Sequence, residues 1–259
     1  MGIVLAGLLL APAMALAQVQ PHRAEYALRL GVGSGAPRIG TAVNDLKLDC
    51  AGWHLTRDIK TEIALTASWK MRLASTLDGE ETRSGNRFRF STRQSQNGSE
   101  REARGRVERR DGEVRAEIVR GDGPADQLVL PAPTMMPVAA VEHLVGRLQA
   151  KALSFPALMF DAEVLGDAFL VEVTEQEGGP PRASKPGAKG ISGLPSKSWP
   201  VFMSFTRGRS QQQEPLFTVS ALVFENGVLD RLTVETGLVT VTADLQSLEM
   251  RPFPSCPRS

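Results

Sequence analysis

Proton transfer and metal binding need histidines, carboxylates or thiolates spaced so that they can converge, and this chain offers few such sets. Its three histidines, His22, His54 and His143, stand apart from one another and from both cysteines. The carboxylates Asp45, Asp49 and Asp58 could meet only through the fold. The segment GVGSGA, Gly31 to Ala36, has the glycine spacing of a dinucleotide-binding turn, whose chemistry is to seat a pyrophosphate on a helix N-terminus. Pro37 follows it, and the next residues alternate as a strand does, so the segment reads as a plain turn. The sequence holds no GxSxG elbow, CxxC pair or HExxH helix, the commonest local signatures of hydrolases, thiol oxidoreductases and zinc proteases. No catalytic residue, metal-ligand set or cofactor site is therefore assigned.

The two sulfurs, Cys50 and Cys256, read more clearly. Ile3 to Leu10 is apolar and uncharged, and Ala15-Leu16-Ala17 supplies a small-x-small cleavage pattern ahead of Gln18. The apolar run is shorter than the about 20 residues a bilayer span needs. Residues 1–17 are expected to be a cleaved signal peptide, although no Lys or Arg precedes Ile3, and residues 18–259 a single exported domain. In an oxidising compartment a lone cysteine pair reads as a structural disulfide. Such a bridge is expected to tie the start of the fold to its end and close a rolled sheet into a ring. By loop entropy it contributes at most about 5 kcal/mol. No cysteine follows the cleavage site, so no lipid anchor is expected, and no other stretch is long and apolar enough to cross a membrane. Thirty basic residues against 29 acidic leave no overall bias toward nucleic acid or anionic membrane.

The elements that must position these residues are mostly strands. Period-two alternation broken about every ten residues by turn chemistry predicts antiparallel β structure. Strands are expected near Ala24–Leu30, Thr41–Cys50, Trp53–Leu65, Trp69–Leu77 and Asn86–Thr92. Asp111-Gly112 suits a two-residue type I′ turn and sets Arg110 opposite Glu113, Glu108 opposite Arg115 and Arg106 opposite Glu117. The other face then opposes Val107 to Ala116 and Gly105 to Ile118, so a one-residue slip would lose every charge pair and turn the apolar set outward. Asn226-Gly227 is expected to join Phe217–Glu225 to Val228–Glu235 by the same turn. Val219, Ala221 and Val223 would then share a face with Leu232 and Val234. Val138, Val141, Leu144, Val145 and Leu148 instead recur at helical spacing after Pro137, which is tolerated in a first turn. That helix must bury its stripe on the concave side of a strongly curved sheet or across its mouth.

Three segments stand outside this pattern. Gly178–Ser198 is rich in Gly, Pro, Ser and Lys, and is expected to be a flexible loop carrying Arg182, Lys185, Lys189 and Lys197. Arg83–Arg120 is rich in arginine, which could fork onto an anionic envelope ligand or an acidic partner. Cross-strand pairing already uses three of those arginines, so a solvated face is the preferred reading. Asn97-Gly98-Ser99 fits a glycosylation sequon but also an ordinary turn.

Several stretches taken in order carry a family resemblance: AEYALRL from Ala24, DLKLDCAGWHL around Cys50, LPAPTMMPVAAVEHLV from Leu130, WPVFMSF from Trp199, FENGV from Phe224 and a last strand running to Cys256. With these the chain resembles the cell-envelope integrity protein B (EipB) family, periplasmic proteins of alphaproteobacteria. It departs from that pattern near Thr236–Leu238, where an aromatic and acidic turn is usual, and in its long basic loop. The resemblance implies a mainly β fold, a strongly curved antiparallel sheet forming a half-open barrel or β-spiral, similar to lipoprotein carriers, with one amphipathic helix packed on it. It maps the family's disulfide onto Cys50 and Cys256. It further implies a periplasmic role in maintaining the envelope, with a tetratricopeptide-repeat protein as partner. A concave β surface suits a non-enzymatic factor that docks such a partner or holds an apolar ligand such as a lipid or lipidated peptide. A lipid or lipoprotein carrier is the alternative, and an envelope hydrolase the reading from another class. No cofactor, nucleic acid or membrane span is expected.

Overall fold

Alternating side chains let each strand bury one face and pair along both edges. In the computed structural model this gives two meanders. It describes residues 19–33, 35–64, 70–164, 166–176, 191–208 and 214–257; the expected signal peptide and most of the basic loop lie outside these. The first meander runs through β1 (His22–Leu30), β2 (Arg38–Leu48), β3 (Gly52–Ala64), β4 (Lys70–Thr82), β5 (Arg87–Gln96), β6 (Ser99–Arg110), β7 (Glu113–Arg120) and β8 (Ala125–Leu130). Helix α1 (Pro137–Gln149) follows. The second meander is β9 (Ser154–Asp161), β10 (Asp167–Glu175), β11 (Ser198–Arg207), β12 (Phe217–Phe224), β13 (Leu229–Glu235) and β14 (Thr240–Met250). Antiparallel pairing of β14 with β1 fuses them into one 14-stranded sheet whose edges are β8 and β9.

The Asp111-Gly112 hairpin has the expected register, with both turn residues at positive φ. Its charges distribute differently. Of the three expected pairs only Arg106–Glu117 closes, at 2.9 Å. Arg115 turns to Glu113 on its own strand at 2.6 Å, and Glu108 takes Arg87 of β5 at 3.1 Å. These side chains are long and exposed, so each finds the nearest carboxylate at little cost. The Asn226-Gly227 turn is also a different type. Only Gly227 has positive φ, and the Gly227 N–H donates to the Phe224 carbonyl. This is a three-residue loop ending in a glycine bulge, favoured because the Asn226 side chain is buried and its Oδ1 accepts the Val228 N–H. Val219 still opposes Val234, with a bulge at Arg231 between the two halves of the ladder.

The sheet rolls into a spiral with one edge tucked inside. Phe160 of β9 and Ala168 of β10 share a core with Phe88, Phe90 and Ile118 of the first meander. The rings of Phe88, Phe90 and Phe160 lie 5.5–6.3 Å apart. Met135, between β8 and α1, partly covers the free edge of β9: its N–H donates to Leu158 and its carbonyl accepts from Phe160. Arg109 clamps that linker through the carbonyls of Ala132 and Thr134.

Helix α1 begins with Pro137 in its first turn and lies across one end of the curl. Val138 joins the core just described, whereas Val145 and Leu148 pack in a second core with Phe155 and Phe169.

Cys50 and Cys256 are bonded, with Cα atoms 5.5 Å apart. They do not close a ring. Cys50 lies in the β2–β3 turn and Cys256 in the tail after β14, and in the sheet only β1 separates those strands. The bridge therefore staples the middle of the sheet and leaves its edges free. The tail reaches it by crossing the start of β1, where the Arg251 N–H donates to Pro21 and the Arg251 guanidinium to Asp45.

Candidate functional site: an apolar cavity inside the curl

Because the sheet is rolled, every second side chain of β1, β2 and β3 points inward. On β3 the inward series includes Leu55, Arg57, Ile59 and Thr61, and on β2 it includes Ala42, Asn44 and Leu46. With Leu232 and Val234 of β13 and Val138 and Val141 of α1 they wall a cavity of about 530 Å³. An adjoining cavity of about 600 Å³ continues away from the helix past Ile39, Ile63 and Met71, sharing Ile59, Thr61 and Val241 with the first. Helix α1 covers one end of this path. At the other end Val32, Leu238 and Val239 are 53%, 94% and 43% exposed, on the adjacent β1–β2 and β13–β14 turns.

A few polar groups interrupt the apolar wall. Arg57 Nη1 donates to Glu163 Oε2 at 2.6 Å, the Ser75 hydroxyl to Glu163 Oε1 at 2.8 Å, and Gln94 Nε2 to the Glu163 carbonyl at 2.5 Å. The β9–β10 turn is thus pinned against the inner face of β3, β4 and β5. Tyr26 donates to the Leu229 carbonyl at 2.9 Å, and burial pushes its hydroxyl well above the usual phenol range. His22 is buried against the Gln20 carbonyl at 2.7 Å, and desolvation lowers its pKa, so the imidazole is neutral at neutral pH. Among the described residues, Asn44 Oδ1 and Thr61 Oγ1 are buried without a hydrogen-bond partner. Beneath the helix, Glu81 accepts the Val138 and Ala139 N–H groups at 2.7 and 2.9 Å.

The residues considered from sequence do not converge. His54 meets Asp49 at 2.8 Å on the surface beside the disulfide. That pair shapes the turn: Asp49 Oδ1 accepts the Ala51 and Gly52 N–H groups, and hydrogen bonds from His54 and these amides hold its carboxyl down to about 2. Arg83 donates to the Asp49 carbonyl and to Cys256 Sγ. Asp45 pairs with Arg251 and Asp58 with Lys60, both at 2.9 Å. The His143 ring stands edge-on to Phe155 at 5.9 Å, because the helix face it occupies turns toward β9. Among the described residues, no three His, Cys, Asp or Glu are grouped to hold a metal ion. Lys197, the described end of the basic loop, lies 5.0 Å over the Trp199 ring.

Sequence reasoning missed Arg57, Asn44, Glu81 and Glu163. Arg57 carried a signal, since it is a charge in an inward position between Leu55 and Ile59. Glu163 carried none, because only the rolled sheet brings it to Arg57.

A solved β-barrel-like protein of a domain of unknown function from Brucella abortus has the same fold. It is 20% identical, the match covers 91% of this chain and 99% of that one, and the TM-score is 0.78. No curated protein matches the sequence. The family model described as EipB-like matches residues 13–252, which is nearly the whole chain, and this protein belongs to that family.

Proposed function

We propose that this chain is a non-enzymatic protein of the periplasm that serves cell-envelope integrity by holding an acyl-bearing ligand inside its curled sheet. The observation that carries the reading is the continuous apolar path from beneath α1 to the far mouth of the curl. Each buried methylene is worth about 0.8 kcal/mol, so such a path favours a chain over a compact polar solute. The Glu81 contact to α1 supports a fixed closed end, and the exposed Leu238 and Val239 an open one. That apolar lip favours a second reading, a lipid or lipoprotein carrier, because a carrier must pass its ligand across such a rim.

Purifying the native protein without detergent and analysing its organic extract by mass spectrometry tests the reading. We expect acyl species in stoichiometric amount, lost when Ala42→Phe fills the cavity while melting temperature is retained. An empty extract, together with no uptake of added amphiphile, would overturn it. Deleting the gene should raise detergent sensitivity, and an unchanged envelope would remove the integrity role.

A further inference from the structure

Resting on that reading, we infer that the acyl ligand carries an anionic head group that sits on Arg57, beside Asn44. A guanidinium in an apolar wall is costly unless its charge is met. Glu163 offsets the formal charge but takes only one guanidinium N–H among the described residues. Both Glu163 oxygens are taken, one by Arg57 and one by Ser75, and its side chain is 8% exposed. Arg57 is 38% exposed and lines the cavity, and of the five N–H donors a guanidinium carries one goes to Glu163 among the described residues. The ion pair thus presents its cationic side to the cavity. Among the described residues the other titratable groups lining this cavity are His22 and Tyr26, both buried and held neutral, so Glu163 is the anion with which a ligand competes.

Asn44 supplies a second, independent sign. It lies directly opposite Arg57 across β2 and β3, and its buried Oδ1 lacks a donor among the described residues. A ligand that places an anion on Arg57 and a hydroxyl or amide N–H on Asn44 satisfies both. From Arg57 the chain would run past Ile59 and Thr61 to Ile63. The six steps of strand between Arg57 and Ile63 cover about 20 Å, more than the about 15 Å of one leaflet, so a membrane acyl chain fits in extended form.

The test titrates the full, oxidised, delipidated protein with monomeric oleate, lysophosphatidylglycerol and neutral monoolein. We expect both anions to bind at least tenfold more tightly than monoolein, and whichever is tighter names carboxylate or phosphate as the head. Glu163→Gln keeps hydrogen-bonding capacity but removes the competing charge, so it should tighten both anions several-fold and leave monoolein unchanged. Arg57→Met combined with Glu163→Gln should erase the preference while monoolein still binds. Equal affinity for anionic and neutral lipids in the parent, or Glu163→Gln weakening all three alike, overturns the inference and leaves the acyl-binding reading intact. Failure of all three lipids to bind overturns the acyl-binding reading itself.

Discussion

Glu81 shows how one buried carboxylate can govern the closed end of the curl. Pro137 has no N–H to give, so the first free donors of α1 are Val138 and Ala139, and both reach Glu81. The carboxylate also meets the positive end of the helix dipole. Burial nevertheless outweighs these bonds and pushes Glu81 up to about 7, with Glu142 adding repulsion. Between about 4.5 and 7 the folded chain therefore keeps a proton that the unfolded chain releases. The sign follows from linkage: this contribution is fully present below the lower value and is lost as pH rises through the upper one, about 3 kcal/mol in all. His22, with its lowered pKa, acts in the opposite sense. Comparing the parent with Glu81→Gln isolates the carboxylate. Urea midpoints should fall with rising pH more steeply in the parent; parallel pH profiles would sink the assignment. Gly105 is a second sensitive residue. A Cβ there would lie 2.5 Å from the Glu117 carbonyl oxygen and 2.8 Å from the Phe90 ring. Gly105→Ala should cost about 1–3 kcal/mol, read as a lowered denaturation midpoint with an unchanged slope.

At the scale of elements, what the sequence made legible was local. Asp111-Gly112 fixed turn and register together, because only small or flexible residues accept positive φ at both positions. The stripe of α1 was equally plain, with Val138, Val145 and Leu148 buried. Asn226-Gly227 misled because its conformation depends on a buried Asn226 side chain, which the dipeptide does not reveal. The tuck of β9 and β10 had no local sign at all, since Phe160 meets Phe88 only after the sheet has rolled. Edge strands need cover, and here Met135 provides it through a linker held by Arg109. Charged donors to carbonyls are worth about 1.5–3 kcal/mol when buried, and Arg109 is only partly so. Arg109→Met is thus expected to act locally. Amide exchange should quicken at Met135 and Phe160, whose bonds join linker to edge, and stay unchanged in β12 and β13. Uniform acceleration across the sheet would show that the clamp supports global stability instead.

For the whole molecule, the cysteine pair was readable but its mechanical role was not. Chain separation alone, 206 residues, suggests a clasp between the extremities of the fold. Topology changes that meaning, because the carboxy-terminal strand returns to the centre of the sheet and pairs with β1. The bridged segments flank a strand already hydrogen-bonded on both sides, so the native curl does not depend on the sulfurs. It depends on the aromatic cluster around Phe160 and the Met135 contact. The bridge must then stabilise chiefly by restricting the unfolded chain. Loop entropy gives about 5 kcal/mol as an upper bound, or roughly 10–20 °C in melting temperature for a domain of this size. Cys50→Ser should lower the oxidised melting temperature by up to that amount and match the parent once both are reduced. Small-angle scattering below the transition should give the same radius of gyration for oxidised and reduced parent. An expanded reduced protein would mean that the sulfurs hold the spiral shut, returning the bridge to the role its sequence separation first suggested.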